Sequence, residues 1–229
     1  MSTGTKSRPE LITTYGETSP FAEAYRILRT NLLSANGKAL WSVGITGSEP
    51  NSGSSTTAAN LSLIMAETGK RVVLVDADLH KPSLHRLFGI ANEPGFSSLL
   101  EGETRLQEAL QVVTEPGLLR VLPAGPKVRN PAALFRAEVL RDLLGAIKEE
   151  ADYLIMDMPA VGVVAYSSFL GTLMDGVLLV VRAGTPAIGI ERVVKRRLHG
   201  VNVVGLVLNQ VPIADSEAAS YRYYAQKQN

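Results

Sequence analysis

Apolar positions in this chain cluster in two ways. Six short runs are apolar almost throughout: Trp41–Thr46, Arg71–Val75, Leu118–Leu122, Tyr153–Asp157, Gly176–Val181 and Val203–Leu208. Runs of this length without polar alternation predict strands buried on both faces, the signature of a parallel sheet. Other stretches space their apolar residues three and four apart and predict helices: 58–65, 83–88, 95–102, 106–109, 188–199 and a long one from Pro131 to Glu149. Ser19 and Pro20 open a further helix as cap and first residue, running to Leu33. Strands alternating with helices predict an α/β fold, a doubly wound, mostly parallel sheet with helices on both faces and its ligand at the carboxyl ends of the strands. The polar ends divide the chain into an arm (1–18), one domain (19–213) and a tail (214–229).

The turn between the first strand and its helix carries the first chemistry. It reads Gly47-Ser48-Glu49-Pro50-Asn51-Ser52-Gly53-Ser54-Ser55-Thr56-Thr57. Such a turn aims backbone N–H groups inward, and the positive end of the following helix adds to them, so an anion is favoured there. Against the phosphate-loop pattern G-x-x-x-x-G-K-[ST], Gly53, Ser55 and Thr56 fit, while Ser48 replaces the first glycine and Ser54 replaces the lysine. Pro50, Asn51, Ser52, Gly53, Ser54, Ser55 and Thr56 are the expected nucleotide-holding set, with the Ser55 hydroxyl on Mg²⁺. The missing ammonium bears on the β- and γ-phosphates, where charge grows during phosphoryl transfer, so binding outlasts catalysis. A Gly/Ser-rich loop with no ligand is the bland alternative.

Acids at strand ends weigh against it. Asp76 and Asp78 follow the second strand and Asp157 closes the fourth. Carboxylates there, beside a phosphate loop, are placed to hold Mg²⁺, to activate a hydroxyl, or both; Asp157 takes the Walker B position.

Composition narrows the partners. The 229 residues are 45% hydrophobic, and 23 basic against 22 acidic residues give a net charge of +1, which disfavours non-specific nucleic-acid binding. There is no cysteine, and the polar start lacks a signal-peptide core, so a cytoplasmic place is expected. The longest apolar region, 153–181, is broken by acids, glycines, serines and a proline and falls short of the ~20 clean residues of a membrane span, so membrane contact comes through a partner. Glu23, Arg26 and Arg29 line one side of the first helix, a solvated face with local ion pairs unless a partner meets it. Three of the seven tyrosines, Tyr221, Tyr223 and Tyr224, fall in the last nine residues, either docking rings or phosphoryl acceptors.

Together these motifs, from about Ser19 to Asn209, resemble the bacterial tyrosine kinases that accompany capsule and exopolysaccharide synthesis. Segment 19–31 resembles that family's opening helix, and the resemblance implies that Glu23, Arg26 and Arg29 mediate ring assembly between subunits. Val72–Pro82 is similar to its Walker A′ segment, which implies Asp76 as base toward a tyrosine hydroxyl and Asp78 as a magnesium-shell ligand. Leu122-Pro123-Ala124-Gly125, Asn130-Pro131-Ala132 and Asp157-Met158-Pro159 are similar too, and Leu208-Asn209 implies Asn209 as a contact for the nucleotide base. The tail resembles the family's autophosphorylated cluster. The implied cofactors are ATP or ADP and Mg²⁺, and the implied partners are further copies of the chain and an integral-membrane activator.

Three positions depart from that family: Ser54 at the lysine, Tyr166 at an aspartate and Ala160 at a second proline. Losing a charge on the transferring phosphoryl group costs ~10²–10⁴ in rate, so a slow or inactive kinase is expected. An engineered change at Ser54, natural degeneration, and rescue by Lys81 or a neighbour's arginine remain alternatives. So do two other functions: a non-catalytic, nucleotide-dependent subunit of the polysaccharide machinery, and a partition or septum-positioning ATPase.

Overall fold

The computed structural model describes residues 11–14, 19–34, 40–114, 116–164 and 166–212 of the 229. Tyr221, Tyr223 and Tyr224 lie outside the described residues. The elements are α1 (Pro20–Ser34), β1 (Ser42–Gly47), α2 (Ser54–Ala66), β2 (Val72–Asp76), α3 (Leu84–Phe88), α4 (Phe96–Glu101), α5 (Leu106–Ala109), β3 (Gln111–Val112), β4 (Leu119–Leu122), α6 (Ala137–Glu150), β5 (Tyr153–Asp157), α7 (Tyr166–Thr172), β6 (Gly176–Arg182), α8 (Ala187–Arg197) and β7 (Val203–Asn209).

Seven strands form one sheet in the order β3-β4-β2-β5-β1-β6-β7, parallel except where β3 pairs antiparallel with β4. This is the doubly wound sheet that the apolar runs predict. Alternate residues of each strand feed opposite layers. Val43, Ile45, Val72, Leu74, Ile155, Leu178 and Val180 pack under α1, α2 and α3. Val73, Val75, Leu154, Met156 and Val177 pack with α4 to α7 on the other face, where α8 also covers Leu179 and Val181. Both faces of β1, β2 and β6 are therefore buried, which is why their sequences show no polar alternation.

The structure differs from the sequence-based expectations in several places. β3 was not expected: two residues pairing on an edge leave no periodic pattern to read. α2 begins at Ser54, four residues before the apolar pattern, and is buried on every side from Thr57 to Ala66. The long helix expected from Pro131 is broken. Pro131–Leu134 is a 3₁₀ turn, Phe135 and Arg136 leave helical dihedrals, and α6 starts at Ala137. Phe135 turns away to stack on Tyr166, with ring centroids 4.1 Å apart. Within the expected arm, Ile12 lies in a 3₁₀ turn, only 4% exposed, and its N–H donates to Asn60 Oδ1 at 2.9 Å. The polar composition around it masked that anchor.

Candidate functional site

Strand order places the predicted residues in a row. β2, β5 and β1 are consecutive neighbours, so Asp76, Asp157 and the Gly47–Gly53 loop meet at one rim of the sheet.

The loop is held by its backbone and by the last two strands. Ser48 N–H donates to the Val180 carbonyl and Val161 N–H to the Gly47 carbonyl. Asn51 and Gly53 both have positive φ, 62° and 92°. A Cβ on Gly53 would run into the Asn209 amide, and one on Gly47 into the Ser52 hydroxyl, so only glycine permits this approach. Asn209 Nδ2 donates to the Ser52 carbonyl at 2.9 Å, Gln210 Nε2 to the Asn51 carbonyl at 3.0 Å, and Arg182 Nη2 to the same carbonyl at 3.2 Å. Arg182 also reaches the Pro50 carbonyl at 3.5 Å and pairs with Glu49 at 3.8 Å. Sequence reasoning missed Arg182 and Gln210. The signal was available for Arg182, which ends an apolar strand with a charge as Asp157 does.

Beyond the loop, α2 presents its amino end. Its first backbone bond to the cap runs from Thr57 N–H to the Gly53 carbonyl at 2.9 Å, and the Thr57 hydroxyl donates there too. The Ser54, Ser55 and Thr56 amides thus stand in the turn where a helix has N–H groups to offer an anion. The Ser48 and Ser52 hydroxyls are buried without a hydrogen-bond partner.

The acids differ in how they are satisfied. Asp76, fully buried, accepts the Asp78 N–H at 3.2 Å on Oδ1 and the Ser83 and Leu84 N–H groups at 3.0 Å each on Oδ2. Burial still pushes its carboxyl up to about 7 against those donors, with the nearby Asp78 charge adding to the rise. Asp78 Oδ1 accepts the His80 and Lys81 amides at 3.1 and 3.0 Å, which folds the turn after β2 back on itself. Asp157 is 1% exposed, and neither of its carboxylate oxygens has a hydrogen bond of ordinary geometry. Burial raises its pKa well above the usual range, the Asp76 charge raises it further, and the facing Ser55 hydroxyl draws it back.

An orphaned buried carboxylate beside a serine hydroxyl fits Mg²⁺, which binds through one or two carboxylates and completes its shell with water and phosphate oxygens. Among the described residues no group of three His, Cys, Asp or Glu side chains could hold a metal alone. The site fits a cation that arrives with a phosphate ligand.

Tyr166, at the position where the resemblance implied an aspartate, is 6% exposed and stacks on Phe135 and, at 5.8 Å, on His80. Glu23, Arg26 and Arg29 are not brought to this rim. Arg26 pairs with Glu23 and Glu67 at 3.5 Å, and Arg29 Nη1 donates to the Ile64 carbonyl at 2.8 Å, at the end of α2 remote from the loop.

Known proteins share this fold. Residues 49–213 match the ParA family, described as NUBPL iron-transfer P-loop NTPase; the chain has no cysteine, the thiolate on which iron–sulfur ligation rests. The tyrosine-protein kinase YwqD of Bacillus subtilis is 35% identical over 91% of this chain and 88% of its own length. The tyrosine-protein kinase Etk of Escherichia coli K12 is 32% identical over 87% of this chain, which spans only 28% of that protein. Among solved structures, the chimerical protein CapA2B2 superposes with a TM-score of 0.82 at 31% identity, over 89% of this chain and 90% of its own. The kinase domain of Escherichia coli Etk gives 0.75 at 30% identity over 84% of this chain and 78% of that one. The chain therefore belongs to the bacterial tyrosine-protein kinase family, built on the ParA-like P-loop NTPase fold.

Proposed function

We propose that this chain is a nucleotide-binding, tyrosine-kinase-like domain that regulates extracellular polysaccharide synthesis or export and in which phosphoryl transfer is impaired. The observation that carries the reading is the buried carboxyl of Asp157, which has no hydrogen bond of ordinary geometry and faces the Ser55 hydroxyl at the amino end of α2. A buried carboxyl met by a single hydroxyl is costly to ionise and persists where a ligand answers it.

In this reading the amides of Ser52 to Thr56 cradle the phosphates of ATP or ADP, with Pro50 and Asn51 shaping the loop and the Asn209 side chain at the base. Ser55 and Asp157 hold Mg²⁺, with Asp78 in its outer shell. The cation, when bound, neutralises charge on the β- and γ-phosphates. Asp76 is placed to take the proton of an acceptor phenol, and a carboxyl pushed up to about 7 can hold that proton near neutral pH. The acceptors are Tyr221, Tyr223 and Tyr224 of a neighbouring copy, brought close by a ring assembled through Glu23, Arg26 and Arg29. Membership of the family supports a cytoplasmic place beneath an integral-membrane partner, and no helix among the described residues is long and apolar enough to cross a membrane.

Ser54 and Tyr166 favour a second reading, a non-catalytic subunit whose nucleotide state and assembly do the regulating. A cationic side chain is absent where charge develops, and an aromatic ring fills the place of an acid. Incubation of the purified chain with ATP and Mg²⁺, followed by phosphotyrosine detection on the tail, separates the two. Slow phosphorylation supports the kinase reading; none, with nucleotide bound, supports the second.

A further inference from the structure

The proposed function notes that Tyr166 stands in the place of an acid and leaves open what its ring does there. It begins α7 and joins the layer that holds Val75, Ala77, Leu79 and Phe135. Its ring lies between Phe135, 4.1 Å away at 16°, and His80, 5.8 Å away at 17°. The hydroxyl is buried and has no hydrogen bond of ordinary geometry, the Leu79 backbone N–H being its nearest donor. Burial raises its pKa, and the Asp78 and Asp76 charges raise it further, so the oxygen lies within electrostatic reach of both acids. A buried phenol normally finds a partner, and phenylalanine would fill the same volume without that need.

The position is informative. Asp76 ends β2, and β5 separates β2 from β1 and its phosphate loop. Tyr166 reaches the acids through its stack on His80, in the turn that Asp78 folds after β2. A phenol is also the group that an acceptor tyrosine would bring to Asp76.

We propose that Tyr166 is an internal plug of the acceptor subsite: its ring, clamped between Phe135 and His80 beside the Asp76–Asp78 turn, excludes an incoming tyrosine while leaving the nucleotide loop open. The plug rests on the nucleotide reading above. His80 is exposed, so the outer wall of the stack is the face able to open. The residue selects against the acceptor, not against the nucleotide.

The test is fluorescence anisotropy of a labelled peptide of residues 214–229 titrated with the full chain, saturated with a non-hydrolysable ATP analogue and Mg²⁺, with occupancy checked by calorimetry. Tyr166→Ala is expected to bind the peptide at least tenfold more tightly than the unmodified protein, Tyr166→Phe no more tightly, and His80→Ala severalfold more tightly. A folded, nucleotide-loaded Tyr166→Ala that binds no more tightly overturns the plug. If that variant does not fold, His80→Ala decides, and affinity equal to that of the unmodified chain overturns it. Failure of every protein to hold the analogue would defeat the nucleotide reading and the plug with it.

Discussion

Asp76 and Asp157 are register partners at the ends of adjacent parallel strands, both buried, and only Asp76 has its charge answered by backbone donors. Asp157 has no backbone donor and is left facing the Ser55 hydroxyl. Asp157→Asn removes that ionisable group from beside Asp76. The ligand-free variant should melt higher by ~2–4 °C, the shift that ~1 kcal/mol gives in a domain of this size. A melting temperature equal to or below that of the unmodified chain, by calorimetric scan, would count against the strained pair.

The same pair sets a pH dependence. The Asp76 carboxyl is raised from 3.8 to about 7, so the folded state keeps its proton where the unfolded chain has lost it. Below pH ~4 both states are protonated and the group costs nothing. As pH rises through the window from ~4 to ~7 its contribution falls, and above that the full cost of a buried charge remains. Glu150 and Asp152 act oppositely, since Arg120 and Arg71 hold their carboxyls down and that stability is lost as pH falls. The difference between the unmodified chain and Asp157→Asn isolates the buried pair. Urea midpoints from pH 4 to 8 should show the gap between them widening with pH; a constant gap would contradict the assignment.

Gly53 has φ 92°, and a Cβ there would meet the Asn209 amide. Gly53→Ala should cost ~1–3 kcal/mol through left-handed strain and displace the loop, abolishing nucleotide retention. Adding Asn209→Ala relieves the collision and leaves the φ strain, so stability should return only in part. Thermal melts of the two variants, read with a nucleotide-binding assay, check both statements.

Much of this rim was legible before any coordinates, because its parts are local in sequence. A loop motif needs eleven consecutive residues, and the acids close apolar strands that show no other polar position. The sheet was legible too, since burial on both faces erases alternation. What stayed hidden is non-local. Arg182 and Gln210 meet the loop only because β6 runs alongside β1 and β7 alongside β6, more than a hundred residues later. Phe135 leaves the expected helix because Tyr166 supplies a ring to stack on, and no window around residue 135 contains that fact. Ile12 was hidden by its polar neighbours, and Asn60, its partner, lies in another element.

The charged side of α1 offers a separate test of assembly. Arg29 supports the Ile64 carbonyl, so Arg29→Ala should cost ~1 kcal/mol in the isolated subunit. Glu23 is half-exposed and its pair with Arg26 is a surface pair, so Glu23→Ala should change subunit stability by less than ~0.5 kcal/mol. A ring that uses this face would lose mass by light scattering in Glu23→Ala at unchanged melting temperature. An unchanged mass distribution would remove Glu23 from the interface.

Ser54 is where the missing charge can be restored. Ser54→Lys places an ammonium at the amino end of α2, next to the cradle. Tail phosphorylation should rise by ~10²–10⁴ if the rest of the site is competent. No rise, with the variant folded and nucleotide bound, would assign the loss to Tyr166 or to the wider rim.

On the reading proposed above, the rim of β1, β5 and β2 takes a nucleotide with Mg²⁺. Isothermal titration of the purified chain with ADP, with and without Mg²⁺ and in parallel with Asp157→Asn, decides whether it does. Saturable 1:1 binding that strengthens with Mg²⁺, and that weakens at least tenfold in Asp157→Asn only when Mg²⁺ is present, is the predicted result. No saturable binding, or binding indifferent to both the cation and Asp157, would contradict it.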